Sequence, residues 1–154
     1  MRIYYPVLAR ELEEGNLVPR PAYCVDPSSS LRGEDLELAE DDARDLAALD
    51  SLALLRDEQE GALSRCVIAA DIEGISVVHF DGEVSQTQPC APVERYIAAY
   101  FIDHPDVSER VCAVLDAQTQ DEADEAVARL WDESMEWYAP EEREDVIRIL
   151  RRMR

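Results

Sequence analysis

Between Arg65 and Ile72 the chain reads Arg65-Cys66-Val67-Ile68-Ala69-Ala70-Asp71-Ile72, with Cys66, Ile68 and Ala70 on one alternation and Val67 and Ala69 on the other. Successive side chains of a strand point to opposite faces, so a strand that is apolar on both is expected to be central and covered on both sides. A tight link at Glu73-Gly74 leads to a second strand, Ile75 to Phe80. The dipeptide Asp81-Gly82 is a two-residue hairpin signal and predicts a third strand from Glu83 to Gln86. Beyond the breaker Pro89 to Pro92, the apolar segment Tyr96 to Asp103 has the length of a buried strand, with a short helix entering from Pro92 as the other reading.

Upstream, Ile3 to Val7 is β-branched and aromatic and is cut by Pro6, as suits a short strand near an edge. A helical pattern starts at Leu8 and stops at Gly15. Three prolines and the run Ser28-Ser29-Ser30 predict an irregular connector over residues 19–35, with one strand-like patch at Tyr23 to Val25. From Glu40 to Glu58, Ala43, Leu46, Leu49 (or Ala47) and Leu52 to Leu55 recur at three and four among Asp41, Asp45, Asp50 and Asp57, the pattern of an amphipathic helix that Gly61 ends. Asp106-x-x-Glu109 and Thr119-x-x-Glu122 fit capping boxes, so two helices are expected to start there. The second is read with Ala123, Ala126, Val127, Leu130, Trp131, Ser134, Trp137 and Tyr138 on one core-facing stripe. Pro140 opens a last helix, residues 140–153, acidic at its start and arginine-rich at its end.

That order predicts one α+β domain over residues 1–154, with a mixed or antiparallel sheet of four to five strands and helices mainly on one face. A ferredoxin-like core satisfies it. The doubly apolar strand also suggests a symmetric homodimer.

Charge narrows the partners. The sequence has 35 acidic and 15 basic residues, a formal charge of −20. Through Asp145 there are 35 acids against 11 arginines, which is −24, whereas Arg148, Arg151, Arg152 and Arg154 give the end of the chain +4. A body so acidic repels phosphate backbones and anionic lipid, which speaks against direct binding to nucleic acid or membrane. All the basic residues are arginine and Asn16 is the only asparagine, a bias that a high-GC genome or a salty cytoplasm would produce. The N-terminus lacks the apolar run of a signal peptide, and no segment is long and apolar enough to span a bilayer, so a cytoplasmic location is expected. Cys24, Cys66, Cys90 and Cys112 form no C-x-x-C pair and are read as reduced thiols.

The segments Met1-Arg2-Ile3-Tyr4-Tyr5-Pro6, Arg65 to Asp71 and Met135-Glu136-Trp137-Tyr138-Ala139-Pro140-Glu141-Glu142 resemble an uncharacterised family of small actinobacterial proteins, a domain of unknown function. The resemblance spans most of the chain, stops before the arginine-rich tail after Glu142, and implies a high-GC bacterial source with no activity attached.

No phosphate-binding, nucleophile-elbow or zinc-protease motif is present, and the absence of lysine removes Schiff-base catalysis and a Walker lysine. His79 and His104 are the residues able to act as bases near neutrality. His79 reads as a sheet histidine, and His104, between Asp103 and Pro105, as a turn or cap. The alternative is a small enzyme or ligand-binding site at one end of the sheet, where His79, Asp71, Asp103 and His104 would converge as catalytic groups. Acidic clusters such as Glu40-Asp41-Asp42 have no calcium-loop spacing and read as solvated helix faces, and no metal or other cofactor is expected.

The leading expectation is a non-enzymatic interaction or regulatory module. Asp41, Asp42 and Asp45 would engage a basic partner surface, and Arg148, Arg151 and Arg152 would meet an acidic one, including the chain's own Glu40 to Asp50 face. A nucleic-acid mimic is a more specific version; it needs carboxylates spaced evenly along a helix, as phosphates are.

Overall fold

In the computed structural model, which describes residues 1–58 and 61–154, seven strands form a single antiparallel sheet. The strands are β1 (Arg2–Pro6), β2 (Tyr23–Val25), β3 (Cys66–Asp71), β4 (Val77–Asp81), β5 (Val84–Thr87), β6 (Ile97–Ile102) and β7 (Glu136–Tyr138). The helices among the described residues are α1 (Ala9–Glu14), α2 (Gly33–Glu58), α3 (Ser108–Asp116), α4 (Gln120–Trp131) and α5 (Arg143–Arg151). Across the sheet the order is β4-β5-β2-β1-β3-β6-β7.

β3 lies between β1 and β6, as its apolar alternation requires, pairing Ile68 with Tyr5 on one side and with Tyr100 on the other. Cys66, Ile68 and Ala70 face a core closed by Ala9 and Leu12 of α1 and Val146, Ile147 and Leu150 of α5. Val67 and Ala69 face the opposite layer, where Ala43, Ala47 and Ala48 of α2 lie over Tyr4 and Tyr23. α3 and α4 extend that second layer, packing Val111, Val114 and Leu130 around Leu52 and Leu55.

The expected sheet of four to five strands is thus too small. Helices cover both faces rather than mainly one, and no ferredoxin-like topology is present. Such a core interlocks two split β-α-β units, whereas here β2-α2-β3 around β1 is the only one among the described residues. The chain covers both faces of β3 itself, so its apolar pattern gives no reason for a dimer.

α2 starts at Gly33, seven residues before the expected boundary, and shortens the predicted connector. Its buried side is mostly alanine, which lets the helix sit close over the sheet, and Ala47 rather than Leu49 faces inward. The tyrosines beneath it reach its carboxylates: Tyr4 Oη donates to Glu40 Oε2 at 3.0 Å and Tyr23 Oη to Asp50 Oδ2 at 2.7 Å.

The stripe predicted from Ala123 to Tyr138 is not one helix. α4 stops at Trp131, and Glu136–Tyr138 turns back as β7, pairing Trp137 with Phe101 and leaving the Trp137 side chain exposed. Spacings of six and seven fit a helix, but the free edge of β6 supplied backbone partners that the pattern cannot reveal. The cap at Asp106 is also displaced. His104 Nδ1 accepts from the Asp106 backbone N–H at 3.1 Å, a single turn runs from Pro105 to Val107, and α3 begins at Ser108. At Thr119 the hydroxyl accepts from the Glu122 N–H as expected, while Glu122 reaches back to the N–H of Gln118, one residue upstream of the cap. The last helix is a turn at Pro140–Glu142 followed by α5.

The register that sets Cys66 opposite Ile102 brings Arg65 and Asp103 together just past the ladder. Both are buried, and Arg65 Nη2 donates to Asp103 Oδ1 at 2.6 Å. The same carboxylate accepts from the Arg65 backbone N–H at 2.8 Å, and Arg65 also donates to the Glu133 carbonyl and lies over the Trp131 ring. Removing one member leaves an uncompensated charge in the interior. Asp103→Ala is therefore expected to lower unfolding stability by about 3–5 kcal/mol, whereas Arg65→Met with Asp103→Leu recovers most of the loss, as measured by urea denaturation. Equal stability of Asp103→Ala and the unmodified protein would contradict this account.

Candidate functional site

The structure does not gather the four residues read as a possible catalytic site. Asp71, at the exposed end of β3, is held by two hydrogen bonds from Arg2 at 2.7 and 3.1 Å. That guanidinium keeps the Asp71 carboxyl below its usual range, so the pair stabilises the fold at neutral pH and loses its effect as pH falls through the lowered value. Asp103 is at the opposite end of the same ladder, buried on Arg65. His104 next to it points outward and caps the Pro105 turn. His79 is on β4, 3.1 Å from the Gly82 carbonyl, and β5, β2, β1 and β3 separate its strand from β6. Among the described residues no group of three or more His, Cys, Asp or Glu side chains is placed to hold a metal ion. No helix among them is long and apolar enough to cross a membrane.

The terminal arginines do not reach the Glu40 to Asp50 face. Arg148 pairs with Asp145 on its own helix at 2.7 Å, and Arg151 and Arg154 both turn to Glu13 of α1. Half of the basic patch thus clasps the end of the chain to α1, and Arg152 remains on the surface.

The carboxylates of α2 divide by face. Glu40 and Asp50 serve the tyrosines below, while Asp41, Asp42 and Asp45 point away from the sheet. Arg44 lies 3.3 Å from Asp41 and 3.8 Å from Asp45, with its guanidinium over Phe101. Exposed Leu38 and Leu49 flank that row on the same helix.

Leu49 borders a groove that the sequence does not announce. Between α2 and the β4–β5 turn is a depression of about 330 Å³, lined by Asp42, Asp45, Asp81 and Glu83 around Leu46 and Leu49, and no lining residue is basic. Beside it β4, an edge strand, turns Phe80 against Tyr23 at 5.3 Å between ring centroids, edge to face. Val78, on the same face by alternation, is 67% exposed and Phe80 45%. These two side chains form an exposed apolar shelf on the strand that leads into Asp81 and the turn. Burial pushes the Asp45 carboxyl up, with Asp41 and Asp42 adding and Arg44 opposing, and burial raises Asp50 in the same way. The hairpin signal at Asp81-Gly82 placed these residues on a turn, but only the position of β4 at the sheet edge makes Val78 and Phe80 surface groups.

Residues 1–147 match the family of unknown function DUF6912, and the chain belongs to that family. The match continues past Glu142 into α5, five residues further than the sequence resemblance reached. Neither a curated protein nor a solved structure matches the chain.

The cysteines are free thiols. Burial pushes Cys66 up to about 12 and Cys24 up to about 11, so neither is a thiolate at neutral pH. Cys90 and Cys112 are partly exposed. Burial raises the Cys90 thiol and the bond to Asp116 raises Cys112, so a chromogenic disulfide reagent at pH about 8 is expected to titrate these two accessible thiols slowly in the folded protein and all four in denaturant. Fast reaction at Cys24 or Cys66 in the folded state would show an activated nucleophile there.

Proposed function

We propose that the protein is a non-enzymatic docking module whose groove between α2 and the β4–β5 turn takes a basic, partly apolar segment of another protein. The observation that carries this reading is the groove lining, which sets Leu46 and Leu49 among Asp42, Asp45, Asp81 and Glu83 with no basic residue, together with the exposed shelf of Val78 and Phe80 on the strand that enters the turn. Charge complementarity selects the partner: arginine or lysine side chains meet the carboxylates, and apolar side chains cover the shelf. Asp42 makes no ion pair among those of the described residues, so its charge is available to a partner. The high overall negative charge would speed encounter with a basic surface and repel acidic competitors.

The test is capture from lysate at low and high salt, followed by titration of the identified basic segment as a synthetic peptide. Affinity is expected to fall as salt rises, and Asp42→Arg with Asp45→Arg should weaken binding by about tenfold or more per reversed charge. A cation in the groove favours the ionised form of Asp45, so binding should weaken as pH falls through the raised value of that carboxyl. Captured partners no more basic than the lysate as a whole, or unchanged affinity in the double reversal, would overturn the proposal.

A further inference from the structure

A second cavity, of about 230 Å³, lies on the other face of the sheet, between α1, the segment 91–94 and the start of α5. Leu12, Leu17, Ile68 and Ile97 give it apolar walls, and Tyr100, Arg143 and Glu94 contribute polar groups. Glu11 also borders it, but its carboxylate is already engaged by the backbone N–H groups of Leu8 and Val18 and by Arg20 Nη1 at 3.0 Å. Of the other three, Arg143 is partly engaged, by Glu144 and the Leu12 carbonyl, while Tyr100 and Glu94 have no ion pair among those of the described residues.

Tyr100 is 2% exposed, and its hydroxyl has the Arg143 guanidinium as hydrogen-bond partner and donates to no described residue. The Arg143 guanidinium lies beside that hydroxyl and donates to the Leu12 carbonyl and to Glu144. A guanidinium has five N–H donors, so others remain for a ligand. Burial pushes the Tyr100 phenol up, against the pull of Arg143 and with the help of Glu94, so it stays a proton donor at neutral pH. Glu94 forms no ion pair with Arg143 among those of the described residues, and the cavity thus has a cationic and an anionic group that do not neutralise each other directly.

We infer that this cavity binds a free α-amino acid with an apolar side chain: its carboxylate on Arg143 and Tyr100, its ammonium on Glu94, and its side chain against Leu12, Leu17, Ile68 and Ile97. Bidentate capture of a carboxylate by a guanidinium is a strong and directional contact, and a zwitterion matches both charges at once. The volume is below the range of about 300–1,000 Å³ that holds drug-sized molecules, which suits a ligand of this size. The inference is independent of the acid groove.

Isothermal titration calorimetry of the full chain with L-leucine and L-phenylalanine tests it, with isocaproate lacking the ammonium and leucinamide lacking the carboxylate. The amino acids are expected to bind saturably, and each truncated analogue about tenfold or more weakly. Glu94→Gln, at an exposed position, should bring leucine down to the affinity of isocaproate and leave isocaproate unchanged. Tyr100→Phe should weaken leucine and isocaproate alike. No saturable heat with either amino acid would overturn the inference, as would a Glu94→Gln protein that binds leucine like the unmodified one. Should Arg143→Gln lose its fold with its bond to Leu12, the Glu94 result still decides.

Discussion

The ion pair between Arg65 and Asp103 closes the β3–β6 ladder, and much of the architecture follows from its geometry. Two buried charges are unfavourable unless nearly every polar atom finds a partner. Here Asp103 takes the backbone N–H and the guanidinium of Arg65, its own N–H donates to Ser64, and Arg65 continues to the Glu133 carbonyl and the Trp131 ring. That arrangement ties the end of α4 to the sheet and fixes which residue of β6 faces which residue of β3. A slip of one residue would exchange the two faces of the strand. Tyr100 would leave the cavity side, and Phe101 would leave the α2 side, where it meets Tyr4 and Arg44.

The two faces solve the burial of polar tips differently. On the α2 side, small helix residues admit the rings of Tyr4 and Tyr23, and carboxylates farther along the helix accept their hydroxyl protons. On the α1 and α5 side the Tyr5 hydroxyl donates to the Val18 carbonyl and accepts from Arg20, which also binds Glu11. Several of the acids that make the chain so negative are therefore internal ligands of arginine, tyrosine and backbone N–H groups. The charge left on the surface is only the outward remainder, which α2 and the β4–β5 hairpin share with α4 and the segment from Asp132 to Asp145.

Strand β3, the hairpin at Asp81-Gly82 and the apolar β6 were legible because they are local: alternation, a turn dipeptide and segment length suffice. Residues 136–138 were not, because Trp137 and Tyr138 extend a helical spacing and become a strand only when β6 offers an edge. Leu49 and Ala47 fit the same helical period, and what excludes leucine from the inner face is the closeness of α2 to the tyrosines below. For the candidate site, Asp41, Asp42 and Asp45 were visible as a charged run. Val78 and Phe80 were not, since a strand pattern does not say whether a helix will cover it. Asp103 looked like a partner for His104 because they are adjacent, yet neighbours at a strand end point to opposite environments, one into the interior and one into water.

Every positively charged side chain other than a histidine is a guanidinium, and four of them rest on aromatic rings, Arg20 on Tyr5, Arg44 on Phe101, Arg65 on Trp131 and Arg95 on Tyr96. Guanidinium holds its proton far into the alkaline range. Only the two imidazoles and the terminal amine can thus lose a positive charge below that range, and any further change on the alkaline side comes from the four thiols and six phenols gaining a negative one. Acylating reagents and enzymes that modify lysine amines find no side chain to act on, and any cellular control of this surface by covalent charge change has to proceed through hydroxyl, carboxyl, thiol, imidazole or guanidinium chemistry.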